Sequence, residues 1–494
     1  MTEENKENKL LPYPAKKSIF SNIFNSCNNC LKKINFKITN IKVPQITFLG
    51  ASRTVTGSKY LIEYKDKKIF VDCGLFQGLK DDRLKNRQKL PIFPKNIDAI
   101  ILTHAHLDHS GYIPLMVKEG FKGPVYSTQA SFELAKIILP DSGYLQEEDA
   151  RYMAKKHVSK HDNPQPLYTE DDAVKCLKQF KIVRFDSKVD LGNGVSFEFH
   201  PAGHILGAGT ISLHLDEKTI VFSGDLGRTN DLVLYDPVKV KNADYILCES
   251  TYGDRIHKDI DCKEELCKII KKTVSRGGNL IIPAFAVGRT QLILYYIYKL
   301  KKEKKIPGIP IFVDSPMSIK VTNLLDDFAD QHRLTKEECF EIFDDTKFTT
   351  TVDQSKRIFE YNIPSIIISA SGMATGGRIL HHIAHYGPDN KNTILLVGYQ
   401  AVGTRGRSLQ DGAKELKIHG QTIKINAEIE KLENMSAHAD QNELMDWLGG
   451  FENKPKRLFI VHGEEKSSET FAERVESELG WNTTVPEYLQ IMQL

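Results

Sequence analysis

The alternation of apolar and polar positions from residue 45 onward predicts a chain that mixes short strands with helices. Short β-rich runs such as Ile46–Leu49 and Ala99–Leu102 lie between Gly, Asp and Asn residues that favour turns. Apolar residues at helical spacing follow around Ser131–Ile138 and Glu147–Lys156. Strand-like runs return between residues 197 and 248, so this part of the chain is predicted to form a layered α/β structure.

After residue 250 the pattern changes to a regular alternation of helices and buried strands. Arg289–Lys302 has helical spacing, whereas the apolar runs Asn279–Pro283 and Thr393–Val397 have the length of buried strands. This alternation predicts a second α/β domain with a largely parallel sheet. From about Glu433 the chain again offers a loop, a helix, a strand at Arg457–Val461 and a helix, which is compatible with a return to the first domain.

The first 43 residues differ from the rest of the chain, because asparagine and lysine crowd there. Their composition predicts disorder at the very N-terminus. Apolar residues from Ile19 to Ile34 recur near helical spacing, which predicts an amphipathic helix. That helix is compatible with docking on its own domain, on a partner or on a membrane surface.

The composition is that of an ordinary globular protein. Of 494 residues, 40% are hydrophobic and 27% are charged, which excludes collagen-like, mucin-like and wholly disordered chains. The net charge of +3 neither demands nor excludes a polyanionic partner. The eight cysteines form no even framework, and the chain shows neither a long apolar run nor a secretory signal. We therefore expect a cytoplasmic protein without a transmembrane segment.

The candidate chemistry is concentrated in the segment from Thr103 to His109, which follows the apolar strand Ala99–Leu102. Its sequence, Thr-His-Ala-His-Leu-Asp-His, places three imidazoles and a carboxylate within six positions. In an extended loop, side chains at i and i+2 can converge on one metal ion, while the following Asp and His point past it to a second. Because imidazole and carboxylate ligands suit Zn²⁺, the segment predicts a zinc site.

This HxHxDH segment resembles the metal-binding motif of the metallo-β-lactamase superfamily, and three later segments resemble motifs of its β-CASP branch. Those segments are Cys248-Glu249-Ser250-Thr251, Ser436-Ala437-His438-Ala439-Asp440 and Val461-His462-Gly463-Glu464. The resemblance covers roughly 44–494. It is greatest to compact bacterial and archaeal RNases related to the endonuclease subunit of the mRNA 3′-end cleavage complex. It implies an α/β fold, an αββα sandwich with an inserted parallel-sheet cap, the β-CASP domain.

The resemblance also implies where the domains divide. Residues 1–43 would be an N-terminal extension, and 44–250 the first part of the metallo-β-lactamase domain. Residues 251–433 would be the β-CASP domain, and 434–494 the second part of the metallo-β-lactamase domain. The nucleic acid would enter the cleft between the two domains.

The family implies two Zn²⁺ ions with a shared carboxylate. Asp225, in the segment Ser-Gly-Asp-Leu-Gly, is similar to the bridging carboxylate of two-zinc members, and His204 lies in a matching loop. The expected ligands of one ion are His104, His106, His204 and Asp225, and those of the other are Asp108, His109, Asp225 and His462.

Three more residues are expected by resemblance to take part in catalysis. Asp72, in the segment Val-Asp-Cys-Gly, would orient a histidine that binds metal. His438 would donate a proton to the leaving 3′-oxygen, and Glu249 would hold His438 and keep it protonated. These roles predict hydrolysis of RNA phosphodiester bonds by a two-metal mechanism that leaves 5′-phosphate and 3′-hydroxyl ends.

Two glycine-rich turns, each between a strand and a helix, are candidate phosphate-binding elements. One ends at Arg289, and the other spans residues 369–378 and contains Ser371 and Gly372. Backbone N–H groups at a helix N-terminus attract anions, and arginine adds bidentate donors. We therefore expect Arg289, Ser371 and Gly372 to bind the substrate.

The sequence leaves alternative activities open. In the family, a histidine at position 462 accompanies RNA-processing members and a valine accompanies DNA-processing members, so His462 favours single-stranded RNA over DNA. The large insertion and His438 count against a small-molecule hydrolase. The complete ligand set counts against a catalytically silent RNA-binding subunit. Endonucleolytic cleavage, cleavage from the 5′ end, the identity of the RNA and a homodimer all stay open.

Overall fold

The structure, a computed structural model, describes residues 41–156, 164–257, 260–432 and 435–494. The predicted amphipathic helix near the N-terminus lies outside these residues. Within them, the strands assemble into two mixed sheets, one parallel sheet and one hairpin. No helix in this part of the chain combines the length and the apolar character that crossing a bilayer requires.

The two mixed sheets contain the strands from the first half of the chain and from its C-terminal end. In spatial order the strands of the first are β22 (Ile491–Gln493), β1 (Ile41–Phe48), β2 (Lys59–Lys65), β3 (Lys67–Cys73), β4 (Ala99–Ile101), β5 (Val125–Ser127) and β6 (Phe180–Ile182). Those of the second are β21 (Thr483–Thr484), β20 (Arg457–Val461), β11 (Tyr245–Glu249), β10 (Lys218–Phe222), β9 (Gly209–Leu215), β8 (Val195–Pro201) and β7 (Val189–Gly192).

These two sheets pack face to face, and helices cover their outer sides. Phe48, Phe197 and Phe459 belong to one buried cluster between the sheets, where the Phe48 and Phe459 rings lie 5.2 Å apart. Successive residues of a strand point to opposite faces, so the outward residues meet helices in a second cluster that includes Leu134 and Phe471. The predicted αββα sandwich is therefore confirmed.

The helices of the sandwich include one that differs from the sequence-based expectation. They are Lys80–Lys85, Leu107–Ser110, Ile113–Lys118, Gln129–Lys156, Glu170–Cys176, Gln441–Leu448 and Glu465–Leu479. The prediction of separate helices over Ser131–Ile138 and Glu147–Lys156 was wrong, because the single helix Gln129–Lys156 runs through Pro140. Proline removes one intrahelical hydrogen bond. Burial of the N-terminal half and packing against Glu170–Cys176 keep both halves in one helix.

An inserted domain, here called the cap, lies along the chain between β11 and β20. In spatial order the strands of its sheet are β14 (Thr346–Phe348), β13 (Ile311–Val313), β15 (Ile366–Ser369), β12 (Leu280–Pro283), β16 (Thr393–Val397) and β19 (Glu428–Leu432). The hairpin is β17 (Glu415–Ile418) and β18 (Gln421–Lys424). The cap helices are Cys262–Ser275, Arg289–Lys302, Pro316–Asp327, Lys336–Asp344, Val352–Arg357, Ile379–Tyr386 and Arg405–Gln410.

The strands of the cap sheet pair in parallel throughout the described residues, which confirms the predicted parallel-sheet domain. Parallel sheets are buried on both faces, and their strands are therefore continuously apolar. Ile281 packs in a cluster on one side of the sheet, whereas its neighbours Leu280 and Ile282 pack in a cluster on the other. The predicted domain boundaries at residues 43, 250 and 433 stay predictions.

Candidate metal centre

The candidate ligands come from loops and from the short helix Leu107–Ser110, which meet at one edge of the sandwich. His104 follows β4, whereas Asp225 follows β10 and His462 follows β20 in the second sheet. Strands β10, β11 and β20 run in the same direction, so the loops after them emerge together. This arrangement brings His462 within 3.4 Å of Asp108, although 354 positions separate them in the sequence.

The first ligand cluster contains His104, His106, His204 and Asp225. His106 Nδ1 lies 3.1 Å from His104 Nε2 and 3.2 Å from His204 Nε2. Asp225 Oδ2 lies 3.4 Å from His104 Nε2 and 3.5 Å from His204 Nε2. A tetrahedral Zn²⁺ with bonds of about 2.0–2.1 Å sets its donor atoms about 3.4 Å apart. The donor atoms of this cluster therefore have the spacing of a zinc site.

The second cluster contains Asp108, His109 and His462 and lies on the other side of Asp225. His462 Nε2 lies 3.2 Å from His109 Nε2 and 3.4 Å from Asp108 Oδ2. Asp225 Oδ1 lies 3.1 Å from His109 Nε2, whereas Oδ2 faces the first cluster. The two oxygens of Asp225 therefore face two different clusters.

The chemistry of these side chains fits a cation. Asp225 is buried, and its Oδ1 has no hydrogen-bond partner among the described residues. An unsatisfied buried acceptor costs about 1–3 kcal/mol, and more when it is charged. Burial lowers the pKa of His104 to about 3 and that of His106 to about 4, so both imidazoles are neutral at pH 7. Neutral imidazoles and a buried carboxylate are the donor set that Zn²⁺ binds.

Asp72 holds His109, a member of the second cluster. His109 Nδ1 donates to Asp72 Oδ2 at 2.8 Å, which turns Nε2 toward Asp225. The backbone N–H of Thr103 donates to Asp72 Oδ1 at 2.8 Å, and Thr103 Oγ1 lies 3.1 Å from His104 Nδ1. Burial opposes protonation of His109, but Asp225 and Asp72 outweigh it and raise its pKa well above the usual range. Asp72 thus lies where the sequence-based prediction needs it, behind a candidate ligand.

Two further contacts orient ligand histidines, and sequence reasoning missed both. His204 Nδ1 donates to the backbone carbonyl of Ala437 at 3.3 Å, and His462 Nδ1 lies 3.2 Å from Thr251 Oγ1. Such contacts fix the tautomer and direct the other ring nitrogen to the metal. Thr251 is the last residue of one of the β-CASP-like segments, and this position could have marked it as a site residue in the sequence. Ala437 acts through its backbone, so its side chain gives no signal.

His438 and Glu249 form a pair beside both clusters. The His438 ring centroid lies 4.5 Å from that of His204 and 6.2 Å from that of His462. His438 Nδ1 donates to Glu249 Oε2 at 3.1 Å, and the Leu226 N–H donates to Glu249 Oε1 at 2.6 Å. Burial opposes ionisation of His438, but Glu249 outweighs it and raises the pKa of His438 to about 8. The imidazolium form therefore predominates at neutral pH.

The predicted substrate-binding residues lie on the cap side of this centre. Arg289 is buried at the first position of helix Arg289–Lys302, in a cavity that it shares with His204 and Ala437. Its Nε has no hydrogen-bond partner among the described residues. Gly372 is buried, and a Cβ there would lie 2.6 Å from the Phe285 ring. Because Phe285 belongs to the turn that ends at Arg289, the two glycine-rich turns contact each other.

The turn that carries Ser371 and Gly372 is supported from within the cap. Ser371 is half-buried, and its Oγ accepts the Thr375 N–H at 3.0 Å. Arg378, the last residue of the turn, donates through Nη1 to the buried carboxylate of Asp314 at 2.7 Å. Arg378 is therefore engaged by the cap itself.

Comparison with known proteins identifies the family. The metallo-beta-lactamase superfamily matches residues 54–262, the Beta-Casp domain matches 290–409, and the Zn-dependent metallo-hydrolase RNA specificity domain matches 422–486. Ribonuclease TTHA0252 of Thermus thermophilus is 34% identical over 435 residues, covering 85% of this chain and 94% of that protein. The chain is a β-CASP member of the metallo-β-lactamase superfamily. The family resemblance inferred from the motifs is thus confirmed.

Other similar proteins span almost all of this β-CASP chain. The transcription termination factor FttA of Methanosarcina mazei is 30% identical over 475 residues, covering 91% of this chain and 71% of that protein. The crystal structure of a protein of unknown function from Enterococcus faecalis V583 superposes with a TM-score of 0.51. Its 15% identity, over 92% of this chain and 100% of that chain, shows the shared fold alone.

Asp72→Asn in this β-CASP protein is expected to weaken zinc binding about 10–100-fold, because the charge that orients His109 is lost. Competition for Zn²⁺ with a chromophoric chelator measures the affinity. Asp186→Asn is the matched control, since Asp186 Oδ1 accepts from His200 Nδ1 at 2.9 Å outside the ligand clusters. Unchanged affinity in Asp72→Asn, or an equal loss in the control, would contradict the role given to Asp72.

Proposed function

We propose that this protein is a ribonuclease that uses two Zn²⁺ ions to hydrolyse phosphodiester bonds in single-stranded RNA. The observation that carries the proposal is the position of Asp225, whose two oxygens face two separate ligand clusters. The similarity to Ribonuclease TTHA0252 and the match to an RNA specificity domain over residues 422–486 support RNA as the substrate. That matched region contains both His438 and His462. A cytoplasmic location is part of the proposal, and the free thiols of the described cysteines are consistent with it.

The reaction divides between the metal centre and His438. Zinc ions held by the two clusters would supply an activated water and neutralise the charge of the scissile phosphate. Glu249 accepts a hydrogen bond from His438 Nδ1–H, which leaves Nε2–H to protonate the leaving 3′-oxygen. Hydrolysis of the RNA thus leaves a 3′-hydroxyl on one product and a 5′-phosphate on the other. Asp72 contributes by holding the ring of His109.

Arg289, Ser371 and Gly372 complete the proposal as contacts to backbone phosphates. Arg289 is a cation without a hydrogen-bond partner at Nε among the described residues, and it stands at a helix N-terminus, where anions are favoured. Ser371 and Gly372 lie in the adjoining turn, which contacts the turn before Arg289 through Phe285. Together these groups would bind the RNA strand next to the metal centre.

Parallel assays with single-stranded RNA and DNA of the same base sequence test the function. We expect cleavage of the end-labelled RNA, abolished by a chelator and restored by Zn²⁺, and products that carry 5′-phosphates. Faster cleavage of the DNA would instead establish the alternative, a DNA nuclease of the same branch. Binding of RNA without cleavage in zinc-loaded protein would establish a silent RNA-binding subunit.

His438→Ala is expected to keep zinc and RNA binding while turnover falls about 10²–10⁴-fold, the usual contribution of a positioned acid. A substrate with sulfur at the 3′-bridging position needs little protonation to leave, so it should restore most of the lost rate. His462→Ala is the matched variant: as a ligand mutant it should lose metal and be rescued poorly.

Metal analysis and the sulfur substrate together decide between two roles for His438. Asp225, Glu249 and His438 also lie within ligand distance of one another, which makes His438 a rival candidate ligand. Loss of zinc from His438→Ala, or equal rescue of both histidine variants, would overturn its role as the acid.

Arg289→Ala is expected to weaken RNA binding and to reduce its dependence on salt concentration, because one phosphate contact fewer releases less counterion. Fluorescence anisotropy across a salt series gives both quantities. Arg276→Ala is the control, since Arg276 Nη1 pairs with Glu428 at 2.6 Å near the start of β19, at the opposite end of the cap sheet. An unchanged salt slope in Arg289→Ala would make Arg289 a structural residue.

A further inference from the structure

The loop from Gly398 to Thr404, which follows β16 in the cap, contacts both sides of the site. The hydroxyl of Tyr399 donates to Glu464 of the sandwich, two positions after the candidate ligand His462. The next residue, Gln400, donates through Nε2 to the backbone carbonyl of Gly372 at 3.1 Å. Adjacent residues of one loop therefore contact the metal-centre side and the proposed phosphate-binding turn.

The loop is held in a defined conformation between these contacts. Gln400 is 2% exposed, and a Cβ on Gly406 would lie 1.8 Å from its Oε1, so a side chain at position 406 would displace Gln400. Thr404 Oγ1 donates to the Ala401 carbonyl at 2.7 Å and closes a turn inside the loop. Gly398 adopts a φ of 77°, which favours glycine.

The far end of the loop also meets the sandwich. A Cβ on Gly403 would lie 3.1 Å from Leu79 Cδ2, and one on Gly78 would lie 3.3 Å from the Val402 carbonyl. The Tyr399 ring lies 6.0 Å from the ring of Tyr252. The loop is thus packed on the sandwich through both its ends, while Gln400 faces the cap turn.

We infer that Tyr399 and Gln400 are positioning residues that set the distance between the turn at Ser371–Gly372 and the metal centre. The turn and the metal centre both contact the same RNA strand in the proposed function. A fixed distance between them would bring the same phosphodiester bond of each bound strand to the metal ions. The inference rests on the ribonuclease function proposed above. Neither residue needs to touch the reacting atoms for this role.

Tyr399→Phe tests the inference, because it removes one hydroxyl and keeps the aromatic ring. Glu464 is half-buried, so water can replace the lost donor and folding should be little affected. We expect kcat/KM on a defined RNA oligonucleotide to fall by up to about 10²-fold, because a misplacement of about 1 Å at the reacting bond can cost that much. We also expect cleavage to spread to neighbouring bonds, which product sequencing measures. Gln400→Leu removes the hydrogen bond to the Gly372 carbonyl and should likewise lower kcat/KM and spread cleavage to neighbouring bonds.

A small substrate separates positioning from damage to the metal centre. Bis(p-nitrophenyl) phosphate carries a single phosphate and cannot bind at the metal ions and at the cap turn together, so Tyr399→Phe should hydrolyse it within about 2-fold of the wild-type rate. Tyr298→Phe is the matched control, since the Tyr298 hydroxyl donates to Glu341 elsewhere in the cap. That control should match wild type on both substrates.

Three outcomes would overturn the inference. Tyr399→Phe could cleave RNA at the wild-type rate and position, or lose activity equally on both substrates, or leave amide hydrogen exchange in residues 371–378 unchanged. Faster exchange in that segment supports the inference without reference to any substrate. Wild-type protein that hydrolyses bis(p-nitrophenyl) phosphate but leaves RNA intact would refute the ribonuclease function, and the exchange measurement would then judge the positioning role separately.

Discussion

The buried carboxylate of Asp225 is the group on which the rest of the site depends. Its Oδ2 lies 3.4 Å from His104 Nε2 and its Oδ1 lies 3.1 Å from His109 Nε2, so it belongs to both ligand clusters. A charged carboxylate inside a protein is costly unless cations or hydrogen bonds compensate it. His104 is neutral at pH 7 and supplies no such charge, whereas His109 and metal ions bound by the two clusters would supply it.

The sandwich meets this demand by collecting ligands from both of its sheets. Among the candidate ligands, His104 follows β4 of the first sheet, and Asp225 and His462 follow β10 and β20 of the second. The spacing of the donor atoms therefore depends on how the sheets pack around Phe48, Phe459 and their neighbours. Metal binding would be coupled to the packing of the sandwich for this reason.

The cap adds to this centre at the places where the chain crosses between the two domains. Ala437 and His438 lie just after the cap sheet ends at β19, where one orients His204 through its carbonyl and the other pairs with Glu249. Tyr399 reaches in the opposite direction, from the cap to Glu464. The candidate metal centre and the proposed substrate-binding turns thus lie on different domains.

The sequence by itself determined the features that depend on neighbouring residues. Helix Arg289–Lys302 and strands Thr393–Val397 and Arg457–Val461 lie at the predicted bounds, because their apolar spacing is a local property. The HxHxDH segment predicted a metal site for the same reason, since its candidate ligands lie one or two positions apart, although Asp108 and His109 stand on the short helix Leu107–Ser110 rather than in an extended loop. The helix through Pro140 departs from the predicted pair because tertiary packing outweighed a local break.

Only the tertiary structure decided which atoms meet. Distant strand ends converge at the site, and their convergence decides which oxygen of Asp225 faces each cluster. It also places the Ala437 carbonyl behind His204 and the Thr251 hydroxyl beside His462. The burial of Arg289 and the contact between Tyr399 and Glu464 likewise depend on how the cap packs against the sandwich. These contacts join residues far apart in the chain, and no local pattern of side chains specifies the distance or direction between them.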